Sequence, residues 1–174
     1  MSEGPRHDLQ KLAPGMLLAL FSILFGFLLG GLFGSIEDSI KGQLRSSADA
    51  VFDTAYQGDA AKRDAVVGKS WSYLKRAHLH GGAIGAAALA STVLLGLLGS
   101  VGRLERLASI SFGAGALLYA SFWLAAGFTA PGVGSTHDAK EALWFLAFPG
   151  SGLAILGLLG TIASVGRFVV RRDA

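Results

Sequence analysis

Three histidines stand where imidazole chemistry could be done. His78 and His80 form an H-x-H pair inside the stretch Trp71 to Gly85, WSYLKRAHLHGGAIG, which runs straight into an uncharged apolar segment. His137 follows later in a polar loop, beside Asp138 and Glu141. Neutral imidazole ligates copper, zinc or haem iron, and an ionisable residue at a membrane can relay a proton or touch a substrate. Residues two apart on a helix point about 200° away from each other, so the pair has two geometries. An unbroken helix carries His78 inward behind Val67, Trp71 and Leu74 and sends His80 elsewhere. A break at Gly81-Gly82 lets both imidazoles converge on one ion, with His137 as a third ligand if the two loops meet. A plainer alternative is that each is an amphipathic residue at a membrane interface.

The elements that must position these residues are apolar. Charged residues make up 16% of the 174-residue chain, against roughly 25% in soluble proteins, and mean hydropathy is +0.52. Leu12 to Ile36, Gly81 to Gly102, Leu107 to His137 and Ala142 to Gly166 carry no formal charge. Each is long enough to cross a hydrocarbon core of about 30 Å as a helix of about 20 residues. A soluble bundle would show polar residues on every outward face. The expected fold is therefore all-α: an integral membrane four-helix bundle, with an extramembrane amphipathic helical hairpin between helices one and two. The expected bounds are 12–35, 80–102, 107–128 and 142–170 for the spans and 36–79 for the hairpin. The first span is too long for a signal peptide and lacks an A-x-A cleavage site, so it reads as a retained helix.

In the hairpin, Ile36, Ile40, Leu44, Val51 and Phe52 recur at roughly helical spacing, Gln57-Gly58-Asp59 reads as a turn, and Val67, Trp71, Leu74 and His78 continue the apolar face. Ser35 stands three residues before Asp38, the spacing of a helix N-cap. Glycines offer flat faces for close helix contact: Gly26, Gly30 and Gly34 at intervals of four in the first span, and Gly81 and Gly85 in the second. Pro149 predicts a kink over Phe145 to Pro149. The run Leu94-Leu-Gly-Leu-Leu-Gly99 returns as Ile155-Leu-Gly-Leu-Leu-Gly160, each followed by a Val-Gly-Arg triplet, which a duplicated helix pair would explain.

Counting spans puts His78, His80, His137, Asp138 and Glu141 at one membrane surface, together with Tyr73, Trp71, Trp123 and Trp144, an aromatic set suited to an interface. Short loops carry the topological signal. Arg103 and Arg106, with Arg167, Arg171 and Arg172, mark one side, whereas the 129–141 loop has only Lys140. The expectation is a multi-pass protein of a bacterial inner membrane, with both termini cytoplasmic and the hairpin outside. The hairpin holds seven basic and six acidic residues, too balanced for a purely electrostatic lipid anchor. The net charge of +3 is the ordinary bias of span-flanking Lys and Arg, and no basic patch with interleaved aromatics suggests nucleic acid.

Arg76-Ala-His-Leu-His-Gly81, opening a glycine-rich span, resembles the H-A-H-L-N-x-x-G type motif of haem–copper oxidase catalytic subunits and related small membrane haem proteins. That resemblance covers about ten residues and implies haem ligation by, or haem close to, His78. The chain departs from the motif where alanine and arginine replace the leading His, and where His80 replaces Asn. No other span offers an internal histidine as a second axial ligand. Cysteine is absent, so thiolate sites and disulfides are excluded. G-x-S-x-G, H-E-x-x-H and Walker A motifs are missing, and no charge lies at mid-span. The sequence thus leans away from an enzyme. It favours a non-catalytic accessory or scaffold subunit, partnered by lipid and by other membrane subunits or a second copy. A small haem or copper protein using His78, His80 and His137 comes next, and a small-solute transporter or channel third.

Overall fold

Uncharged stretches of this length satisfy their backbone polar groups most cheaply as helices, and helices are what the computed structural model contains. It describes residues 5–99 and 101–172. In order these are α1 (Pro5–Asp49), α2 (Phe52–Ala55), α3 (Ala60–Leu97), α4 (Arg103–Val133), α5 (Thr136–Ala142) and α6 (Trp144–Arg172), with no strand among the described residues. Four of them, α1, α3, α4 and α6, are long and apolar enough to cross a membrane. Their outward faces carry exposed large apolar side chains, such as Phe27 on α1 and Phe148 on α6. α4 is central. α1 and α3 pack on each other and on α4, while α6 lies along α4 and meets α3 only lightly.

The hairpin is less separate from the spans than its composition suggests. The first span and the first arm are one element, α1, bent at Ile36, where φ −135° and ψ 31° leave the helical region. The second arm and the second span are one helix with no break at Gly81-Gly82, and α3 runs from Ala60 to Leu97. Ser35 does not cap a new helix. Its hydroxyl donates to the Gly31 carbonyl at 2.8 Å, back-bonding of the kind that bends helices, one residue before the kink. Gln57 and Gly58 take left-handed φ values of 57° and 75°, making the expected turn, and the Asp59 carboxylate caps α3 by accepting from the Lys62 N–H at 2.9 Å. The arms close on a core of Leu44, Leu74 and Ala77 with Leu29 and Phe33 of the first span. Outside, Arg45 reaches Asp64 at 2.8 Å and Arg63 reaches Asp49 at 2.9 Å. Exposed pairs of this kind are individually worth little, so the apolar core holds the hairpin and the charges fix its register.

Glycine sets the α1–α3 contact. The backbones approach so closely that a Cβ on Gly26 would lie 2.6 Å from the Gly82 nitrogen, and one on Gly81 3.1 Å from the Ser22 carbonyl. Ser22 donates to the Gly81 carbonyl at 3.0 Å across this crossing. Gly85 packs on Ala19 and Ile23, and Gly30 makes room for the His78 ring. Gly34, expected on this interface, has nothing within 4 Å. It sits two residues before the kink at Ile36. Glycines not singled out by spacing govern the α4–α6 contact, where a Cβ on Gly150 would come within 2.7 Å of the Tyr119 nitrogen.

Other boundaries shift. α4 runs past 128 through Pro131 and stops at Gly134, whose φ of 76° ends the helix. The expected loop contains α5, capped by Ser135 accepting from the Asp138 N–H at 3.2 Å. The chain breaks at Leu143, with φ −105° and ψ 17°, two residues ahead of the kink expected over Phe145 to Pro149. Pro149 itself lies inside α6. The repeated segments part company: Gly99 leaves the helix with φ 71°, whereas Gly160 stays within α6. Ser100, and the side chains of Arg171 and Arg172, lie outside what is described.

At the hairpin end, fully buried Tyr56 ties the turn to α4, donating to the Pro131 carbonyl at 2.7 Å. Burial pushes this phenol above its ordinary value of 10.0, with Arg63 pulling the other way. A raised phenol pKa means that its stabilisation is complete below about pH 10, the unfolded value, and is lost as pH rises through the folded one. Tyr56→Phe should therefore destabilise the protein at pH 8 by about 1 kcal/mol and flatten its alkaline denaturation above pH 10, read by circular dichroism in detergent. Gly26→Ala should cost about 1–3 kcal/mol through backbone overlap, with Gly31→Ala, which meets open space, as the near-neutral control in thermal melts.

Candidate functional site

Because α3 is continuous, its residues distribute around a single helix, and the two candidate imidazoles part. His78 turns toward α1. Its Nδ1 lies 2.7 Å from the Gly26 carbonyl, a bond that requires Nδ1 to carry the proton and donate. Its ring edge abuts Gly30 and stands T-shaped to Phe33, centroids 6.3 Å apart. His80 turns toward α4, with its ring 5.3 Å from that of Tyr119 and 6.3 Å from that of Trp123. His137 lies on α5, exposed, with Nε2 3.2 Å from the Glu141 carboxylate. The convergent three-histidine ligand set is therefore not assembled. The helix does not break, and rings two residues apart on it face different neighbours.

The donor set also bears on haem. With the Nδ1 proton committed to Gly26, His78 Nε2 is the free lone pair, the tautomer a metal-ligating histidine takes. Yet the ring is wedged between two helices in backbone contact, and a Cβ on Gly30 would lie only 2.6 Å from its Cε1. A porphyrin plane does not fit there unless the α1–α3 crossing opens. The geometry instead makes His78 an interhelical tie. Among the described residues, the grouping with ligand atoms within 4.8 Å of one another is His137, Asp138 and Glu141, all exposed on α5.

Counting spans did place the right residues at one end. Tyr73, His80, Tyr119, Phe122 and Trp123 form one aromatic group, with Tyr73 and Trp123 centroids 4.9 Å apart. The Arg76 guanidinium lies 4.8 Å from the Trp123 ring centroid, a cation–π stack. Beside this group a cleft of about 530 Å³ opens between α4, α5 and α6, with Trp123 on its floor and His137, Lys140, Glu141 and Trp144 at its rim. The Trp123 Nε1–H is buried without an acceptor. About two helical turns further along α6, a second and almost wholly apolar cleft of about 330 Å³ lies between α3 and α6, lined by Ala83, Ala87, Phe112, Ala154 and Leu158.

At the opposite end the structure reveals a polar cluster that spacing did not suggest. Buried Glu105 accepts from the Gly102 N–H at 3.0 Å, from the Ser164 hydroxyl at 2.9 Å and from Arg167 at 2.6 Å. It caps α4 and locks α6 to it. The signal in the sequence is a lone acid, Glu105, between Arg103 and Arg106. The site residues thus divide into structural ties, His78 and Glu105, and an open aromatic cleft.

Fold and site define an all-α protein with four helices able to cross a membrane and a charged helical hairpin joining the first two. No protein-family model, curated protein or solved structure matches the chain.

His78→Ala should lower stability in detergent by about 1–3 kcal/mol, from the lost hydrogen bond and the cavity left against Gly30. His137→Ala, on an exposed pair, should stay within about 0.5 kcal/mol of the parent. A Soret band in the purified protein that disappears in His78→Ala would reverse the assignment of His78 as a packing residue.

Proposed function

We propose that this protein is a non-catalytic accessory or scaffold subunit of a larger membrane complex, and that its partner packs on the outward face of α1. One observation carries the reading. The close-packing glycines and buried polar side chains near the spans are spent on internal ties: Ser22 to Gly81, Thr92 to Ser109, His78 to Gly26 and Ser164 to Glu105. Gly31 and Gly34 alone on the first span meet open space. They sit among exposed Phe27, Leu28 and Leu32. Small residues that admit a close backbone, set in an apolar lipid-level face, are what a partner helix needs. The internal ties join the four long helices to one another, and no charged residue lies at mid-span among the described residues for ion coupling, which favours packing over transport.

The same reading orients the protein. Arg103, Arg106 and Arg167 gather at the end away from the hairpin, and Lys/Arg-rich short loops stay cytoplasmic. That puts both termini in the cytoplasm and the hairpin outside, in a membrane such as the bacterial inner membrane.

A photo-crosslinking side chain placed at Gly31 or Gly34 should yield a discrete heavier adduct in native membranes, and one at Leu159 on α6 should not. Equal yields at all three positions, together with a monodisperse, partnerless monomer on gentle extraction, would remove the scaffold reading. A membrane-impermeant thiol reagent tests orientation in this cysteine-free chain: Asp53→Cys should react from outside intact cells, and Arg106→Cys should not.

A further inference from the structure

We infer that the two clefts strung along α6, the first between α4, α5 and α6 and the second between α3 and α6, together form a furrow that binds one phospholipid with a zwitterionic, amine-bearing headgroup, seated head-up at α5. This rests on the cleft side of the bundle and is independent of the partner face on α1.

The chemistry along the furrow changes in the order in which a phospholipid changes. At its mouth, neighbours Lys140 and Glu141 present one charge of each sign. Lys140 has no carboxylate partner among the described residues. Glu141 engages His137 through one oxygen and leaves the other open. Arg76, lying over Trp123, likewise has no carboxylate partner among the described residues. Cations alone would select an anionic head. A Lys–Glu pair at one rim instead complements a phosphate and an ammonium a few ångströms apart, and Asp138 on the same helix adds to the penalty on a purely anionic head.

Trp144 at the same rim and Trp123 on the floor are aromatic residues of the kind that gather where bilayers carry their ester groups. Deeper still the walls are apolar, first at Phe148 and Ala147, then at Ala83, Ala87 and Leu158. Small side chains on the α3 wall keep the furrow open for a chain. From Trp144 to Leu158 the helix rises about 21 Å, enough to take an acyl chain through a leaflet whose hydrocarbon half is about 15 Å thick. The two clefts, about 530 and 330 Å³, lie in the range of small-molecule sites.

The test uses the full chain, delipidated in mild detergent and offered dioleoyl phosphatidylethanolamine or dioleoyl phosphatidylglycerol, with retained lipid counted by native mass spectrometry. The parent should retain one ethanolamine lipid about tenfold more strongly than the glycerol lipid, a preference worth about 1.4 kcal/mol. Ala87→Phe, which fills the deep furrow from an exposed position, should lower retention of both lipids about tenfold. Glu141→Lys should reverse the preference in favour of phosphatidylglycerol, a gain that a misfolded variant cannot produce. Equal retention of the two lipids by the parent, a parental preference for the glycerol lipid, or retention unchanged in both variants overturns the proposal.

Discussion

The close crossing of α1 and α3 is the constraint from which the rest of the structure follows. Two helices can bring their backbones together only where neither carries a Cβ in the way, and Gly26 and Gly81 meet at that point. Within a bilayer no hydrophobic drive pushes helices together, so dispersion contacts and interhelical hydrogen bonds must do so. The glycine crossing supplies the first, and Ser22 and His78 supply the second by using carbonyls that the close approach brings within reach. The same proximity gives His78 its ring position and closes the space in which a large cofactor would lie.

From that crossing α3 extends without interruption into the hairpin, and the consequences reach the aromatic end. A continuous helix fixes His78 and His80 on different sides, one against α1 and one against α4. It also carries Arg76 over Trp123 and Tyr73 onto Trp123. α4 is held on both flanks, by α1 and α3 on one and by α6 on the other, and its two ends are pinned by polar groups: Glu105 with Arg167 at one and Tyr56 on Pro131 at the other. α6 depends on α4 almost alone, and the furrow along α6 is the space left by that arrangement.

The architecture was legible in the residues because its cause is local and additive. Four charge-free stretches of bilayer length and the turn at Gln57-Gly58-Asp59 depend on neighbours in sequence, and all appear in the structure. Four of the five glycines picked out by spacing lie on the α1–α3 crossing or beside it. The candidate site was legible only in part. Parity of crossings put the histidines, tryptophans and Glu141 at one end, because counting spans needs no tertiary information. It could not say which imidazole faced which helix.

What the sequence determined by itself was the solvent of each segment, the number of long apolar helices and the end at which the aromatic residues gather. These follow from transfer free energy and helix length. Only the tertiary structure decided that Gly81-Gly82 is a packing surface and not a hinge, that Gly34 stays open, and that Glu105 pairs with Arg167 across the bundle. Each of those outcomes turns on whether another backbone lies within a few ångströms. A glycine is equally able to break a helix, face lipid or admit a neighbour, and the choice is made by the partner opposite it.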